Sequence, residues 1–225
     1  MLQHLAIIMD WNRRWAKTRL LPALAWHKAG ADNVKTILAA AQQEWIKYLT
    51  VWALSTENLQ KRSESEVEGI IKIIDNMESY LWEALENNVV FKTIGDISKL
   101  PEASQRVLQR VKEKTKDNSW ITLTVALIYG WQDEIVRATK KILAENKDPD
   151  TLTTQEFRSY LDTAFLPVPE LIVRTGWDIR HSWFMLYDSA YSEYYFTDKW
   201  WPDYDEEELD KTIEFFNKSR RNFGK

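Results

Sequence analysis

At 225 residues the chain can bury one substantial core, so a single domain is expected. Its formal net charge of −4 gives no bulk attraction to nucleic acid, and the absence of cysteine excludes disulfides, thiolate metal sites and cysteine catalysis. No apolar run reaches the roughly 18 residues of a membrane span, and no charged-then-apolar leader precedes the first apolar run, so a cytoplasmic place is expected.

Residues 5–9 are a short apolar run without period-2 alternation, too brief for a core helix, which predicts a buried strand. The run stops at Asp10, with Asn12, Arg13 and Arg14 behind it. A carboxylate at the carboxyl end of a parallel strand, followed by a polar turn that opens a helix, suits Mg²⁺ and a diphosphate. The same residues alone also read as an Asp cap on a surface helix. Residues 28–43 predict a helix with Val34, Ile37, Leu38 and Ala41 on one face, and 48–54 the second strand. Residues 64–88 predict one long amphipathic helix, with Val67, Ile70, Ile71, Ile74, Met77, Leu81 and Leu85 as its stripe.

Strands follow at 89–94, closed by Gly95 and Asp96, and at 121–129, with a helix at 101–116 between them. Residues 133–145 are helical, and Thr153 or Thr154 caps the next helix. Short strands are expected at 171–174 and 184–187, and Asp205 to Glu208 open a final helix. Strands alternating with helices predict an α/β domain spanning 1–225, with a central, mostly parallel six-stranded sheet flanked by helices.

Five separated blocks occur in order: Asp10-x-Asn12-x-Arg14-Trp15 with His27-Lys28-Ala29-Gly30; residues 49–58 ending Ser55-Thr56-Glu57-Asn58; Arg174-Thr175-Gly176-x-Asp178-x-Arg180-x-Ser182; Ala190 to Asp198; and Trp201-Pro202-Asp203. This series resembles the cis-prenyltransferases of the undecaprenyl diphosphate synthase (isoprenyl transferase) type. The resemblance implies condensation of isopentenyl diphosphate with an allylic diphosphate such as farnesyl diphosphate. It also implies a long-chain cis product serving as the cell-wall glycan lipid carrier, a hydrophobic tunnel, Mg²⁺ and a homodimer that delivers its product to the membrane as a peripheral protein. Asp10 and Asn58 are the implied catalytic residues, and Asp10 and Glu193 the implied metal carboxylates. An amide is a poor base, so Asn58 has a positioning or relay role.

The resemblance assigns substrate contacts to Trp11, Asn12, Arg13, Arg14, Trp15, His27, Ser55, Thr56 and Glu57, and to the positions of Ala23 and Leu59. Ala23 stands where the family has arginine, and Leu59 where it has an aromatic. Arg62 matches the next family arginine if one residue is inserted after Asn58, and Lys61 takes the place otherwise. Arg174, Arg180, His181 and Ser182 would bind isopentenyl diphosphate, since two arginines around a Gly-containing turn can fork onto one diphosphate. Near the C-terminus the family places an arginine two residues before glycine, and Asn222 stands there.

The chain has 12 Trp and 6 Gly, against about 16 Gly at average usage of roughly 7%. Trp11, Trp26, Trp45, Trp131 and Trp177 stand where the family has glycine, as do Trp120 and Trp183 on a wider match. One account is a gene whose UGA codons mean glycine, rendered with UGA as tryptophan; UGG codons at 11, 26 and 131 would end it. The rival account is a homologue with literal tryptophans that is catalytically impaired or binds prenyl diphosphate as a partner subunit.

Overall fold

A computed structural model of the chain describes residues 1–10, 12–21 and 23–220. Six parallel strands form one sheet: β1 (His4–Ile8), β2 (Tyr48–Ser55), β3 (Val89–Ile94), β4 (Ile121–Tyr129), β5 (Leu171–Arg174) and β6 (Glu193–Phe196), in the order β3-β4-β2-β1-β5-β6. The helices are α1 (Asn12–Thr18), α2 (Ala23–Gln43), α3 (Thr56–Lys61), α4 (Glu64–Asp75), α5 (Leu81–Glu86), α6 (Glu102–Thr115), α7 (Trp131–Ala144), α8 (Thr154–Ser159) and α9 (Glu206–Lys218).

β1 is buried along its whole length, as a central parallel strand must be when helices cover both faces. Leu5 and Ile7 point into the larger core with Leu49, Val51, Ile37 and Phe216. Ala6 and Ile8 point the other way, to Tyr129, Leu166, Ile172 and Phe184. Chain order reverses around β1: the crossover to β2 goes to one side and β5 arrives on the other. A crevice at the carboxyl ends of the strands belongs at such a point.

Three expectations change. Residues 184–187 are not a strand: Met185 is left-handed (φ 44°) and opens a 3₁₀ turn, Leu186–Asp188. The sixth strand is Glu193–Phe196 instead. The long helix at 64–88 is broken by a 3₁₀ turn, Met77–Tyr80. Asp75, Asn76 and Ser79 are weak helix formers, and the Ser79 hydroxyl bonds back to the Asn76 carbonyl at 2.7 Å. The capping prediction resolves to Thr153, whose hydroxyl accepts from the Glu156 N–H at 3.1 Å.

Candidate active site

β1 and β5 end side by side, with Ile8 in register with Arg174. Asp10 therefore lies two residues past the end of β1, beside the arginine. Arg174 is 5% exposed and its guanidinium makes three hydrogen bonds, to Asp10 Oδ2 at 2.6 Å, the Arg180 carbonyl at 2.6 Å and Ser182 Oγ at 2.7 Å, with the Asp178 carboxylate 3.6 Å away. The turn after β5 is coiled to allow this, with Gly176 (φ 90°) and Ser182 (φ 54°) both left-handed. Thr175 Oγ1 accepts the Asp10 N–H at 2.9 Å, tying the two strand ends together.

These residues border a polar cavity of about 790 Å³ at the carboxyl edge. Its wall carries six cations (Arg13, Arg14, Lys61, Arg62, Arg174, Arg180) against four carboxylates (Asp10, Glu57, Glu66, Asp178). Each carboxylate has a cation: Asp10 with Arg174 at 2.6 Å, Glu57 with Lys61 at 2.6 Å, Glu66 with Arg13 at 3.3 Å and Asp178 with Arg180 at 2.8 Å. The excess of positive charge makes the cavity an anion site. Ser55 and Asn58 complete the wall. Ser55 is the N-cap of α3 and takes the Asn58 N–H at 2.9 Å, so the cap sets where Asn58 stands.

A second, apolar cavity of about 240 Å³ lies under α2 and α4, on the larger-core face of the sheet. Val34, Leu38, Ile70, Ile74, Leu81, Val89, Phe91 and Leu123 line it. Met9, Asn12, Trp26 and Ala53 border both cavities. His27 is buried on the apolar side, and α4 crosses it at Gly69, where a Cβ would come within 2.4 Å of the imidazole. Burial first, then the nearby Arg62 charge, pushes the His27 pKa down to about 4. Burial also lowers the Arg62 pKa. Neither His27 ring nitrogen has a hydrogen-bond partner among the described residues, and Asn12 Oδ1 is likewise buried and unpartnered.

Of the residues expected at the site, Asp10, Asn12, Arg13, Arg14, Ser55, Glu57, Asn58, Arg62, Arg174, Arg180 and Ser182 meet at the polar cavity. Lys61 borders it as well as Arg62. His27 borders the apolar cavity instead, and five more do not line the polar one. Trp15 turns away, its indole N–H bonded to Asp203 at 2.7 Å. Thr56 faces Gly130, Leu59 packs on the core, and the ring of His181 lies off the wall. Glu193 is the fifth. It opens β6 in register with Leu171, which pairs with Leu5, so it lies at the amino edge of the sheet. At about 3.3 Å per residue that is roughly 15 Å from Asp10 along the strands, too far for the two carboxylates of one chain to share an ion.

Trp11, Pro22 and residues 221–225 lie outside the described residues, as does the side chain of Ala23. Sequence reasoning did not anticipate Trp52, Glu66, Asp178 or Trp183 on the wall. The Asp178 spacing, four residues after Arg174 in one turn, was the available signal. Among the described residues no cluster of three or more His, Asp or Glu side chains could hold a metal by itself. No helix among them is long and apolar enough to cross a membrane.

A family described as "Putative undecaprenyl diphosphate synthase" matches residues 8–224. An isoprenyl transferase of Bacillus cereus is 40% identical over 227 residues, covering 99% of this chain and 88% of the relative. A ditrans,polycis-undecaprenyl-diphosphate synthase ((2E,6E)-farnesyl-diphosphate specific) of Micrococcus luteus is also 40% identical, covering 99% and 91%. Among solved structures, lavandulyl diphosphate synthase from Lavandula x intermedia, in complex with dimethylallyl diphosphate, has a TM-score of 0.95 at 33% identity, covering 100% of this chain and 98% of its own. A probable undecaprenyl diphosphate synthase from Campylobacter jejuni has 0.84 at 29%, covering 100% and 99%.

Proposed function

The chain belongs to the undecaprenyl diphosphate synthase family of cis-prenyltransferases, and from that premise we propose that it elongates an allylic primer such as farnesyl diphosphate with isopentenyl diphosphate. The product is a long-chain cis-polyprenyl diphosphate, the lipid carrier of cell-wall glycans. The observation that carries this reading is the pair of adjoining cavities, one cationic and one apolar. Two diphosphate headgroups need the first, and a growing hydrocarbon tail needs the second.

Arg174, with Arg180 and Ser182, takes the diphosphate of isopentenyl diphosphate. Its guanidinium is held in place by the Arg180 carbonyl and Ser182 Oγ, so it costs little further ordering on binding. Asn12, Arg13, Arg14 and Arg62 hold the allylic diphosphate, with His27 behind them. Ionisation of the allylic C–O bond puts charge on the departing diphosphate, and these cations stabilise it. The isopentenyl double bond attacks the allylic carbon as its C–O bond breaks, and the proton then lost goes to a diphosphate oxygen; Asn58 positions the carbon that loses it, since its amide cannot accept one.

The oxygen donors of the site fit Mg²⁺. Mg²⁺ is usually bound by one or two carboxylates plus substrate phosphates, so the Asp10 carboxylate at the edge of an anion cavity is a fitting donor. Asp10 would hold it, with the buried Asn12 Oδ1 at hand, and Gly30 keeps room for that amide: a Cβ there would fall 2.9 Å from Oδ1. When bound, the ion neutralises charge developing on the leaving diphosphate. A homodimer of 26.7 kDa chains, peripheral at the membrane when it hands over product, completes the reading.

The test is incorporation of labelled isopentenyl diphosphate with farnesyl diphosphate and Mg²⁺, with product length read by reversed-phase chromatography. Long-chain product is expected. No incorporation from any allylic primer would refute the proposal.

A further inference from the structure

Resting on that reading, we propose that position 26 is the throat between the headgroup cavity and the tail cavity, and that the Trp26 indole narrows it, weakening the binding of longer allylic tails relative to short ones. Trp26 borders both cavities, and among the described residues only Met9, Asn12 and Ala53 share that place. The indole is 6% exposed and wedged between two fixed neighbours. On the polar side the Arg62 guanidinium carbon lies 5.7 Å from its ring. On the apolar side it lies on His27, ring centroids 3.4 Å apart.

His27 cannot step back to let the indole move. Gly69 of α4 already abuts the imidazole so closely that one added carbon would overlap it. A tail passing from one cavity to the other must therefore go between the indole and the Met9–Ala53 wall. Ala53 is the only small side chain of the four bordering residues, so the gap is on its side. The indole N–H is buried without a hydrogen-bond partner among the described residues, so the ring is held by packing and by the Arg62 guanidinium over its face. Replacing it breaks no hydrogen bond and opens the passage by the volume of the ring.

Calorimetric affinities for inorganic diphosphate, dimethylallyl thiodiphosphate and farnesyl thiodiphosphate, in Mg²⁺, test this on the full chain and on Trp26→Gly. The expected result is unchanged affinity for inorganic diphosphate, with farnesyl affinity rising at least about tenfold relative to dimethylallyl. Trp26→Ala repeats the measurement with a better helix former, should the glycine loosen α2. An unshifted farnesyl-to-dimethylallyl ratio, or an equal change for all three probes, would overturn the throat and leave the proposed reaction standing. A shifted ratio with no condensation from any primer would overturn the reaction and leave the throat standing.

Discussion

Asp10 Oδ2 accepts a hydrogen bond from Arg174 Nη2 at 2.6 Å, joining the ends of two neighbouring strands that are 164 residues apart in sequence. The carboxylate is about one-third exposed and the guanidinium almost wholly buried, so the pair stands at the lip of the anion cavity. Asp10→Asn keeps an acceptor for Arg174 and removes the charge a metal needs. We expect kcat for isopentenyl diphosphate incorporation to fall at least about 100-fold, with little change in melting temperature. Full turnover in the variant, measured across a Mg²⁺ titration, would remove Asp10 from the metal-binding role.

The contact between Gly69 and His27 gives a second test. A methyl group at 69 would lie 2.4 Å from the imidazole, inside any permitted contact. Gly69→Ala therefore has to displace His27 or α4, against the usual gain from alanine in a helix. A loss of about 1–3 kcal/mol in urea unfolding is expected, together with a raised KM for the allylic substrate and little change for isopentenyl diphosphate. A more stable variant would show that α4 can yield.

Trp45 ends α2 in the left-handed region, φ 60°, with the Ile46 N–H bonded back to the Ala41 carbonyl at 3.0 Å. This is the helix-terminating position that favours glycine. Its indole is 54% exposed and packs edge-on against Trp120. Glycine and alanine both lose that pair, but only glycine relieves the backbone. Trp45→Gly should be more stable than Trp45→Ala by about 1 kcal/mol in chemical denaturation. Equal stabilities would mean that the left-handed turn carries no strain.

His4 is fully buried between Thr50 Oγ1 at 2.8 Å and the Pro167 carbonyl at 2.7 Å, and burial lowers its pKa from 6.5 to about 4. The unfolded chain binds this proton first, so the contribution is present above pH 6.5 and is lost as pH falls toward 4. Its size is about 3 kcal/mol. Glu134 acts in the opposite sense: burial raises its pKa from 4.5 to about 7, so its stabilising effect fades as pH rises through that interval. His4→Gln should remove one proton's worth of slope from unfolding free energy between pH 4.5 and 6.5. An unchanged slope would place the pH dependence elsewhere.

The alternation of strands and helices was legible because each strand is a short apolar run bounded by polar turns, as in β1 and β2. The motif residues were legible as a set, since Asp10, Asn58 and Arg174 each follow or end a strand at the same sheet edge. The sixth strand was not. Phe184 to Tyr187 is apolar enough to look like one, but Met185 turns left-handed and the strand falls on Glu193–Phe196, where tyrosines leave no clear period. Its register is what carries Glu193 away from Asp10.

Composition and spacing determined the α/β class and the strand ends that carry charge, and the ordered motif residues carried the resemblance to the cis-prenyltransferases, because these depend on local order along the chain. Tertiary structure decided which cations share a wall, that Trp26 stands between the cavities, and that Glu193 sits at the far edge. Those depend on strand register and helix crossing, which arise from contacts between residues from about 20 to more than 160 positions apart and leave no local trace.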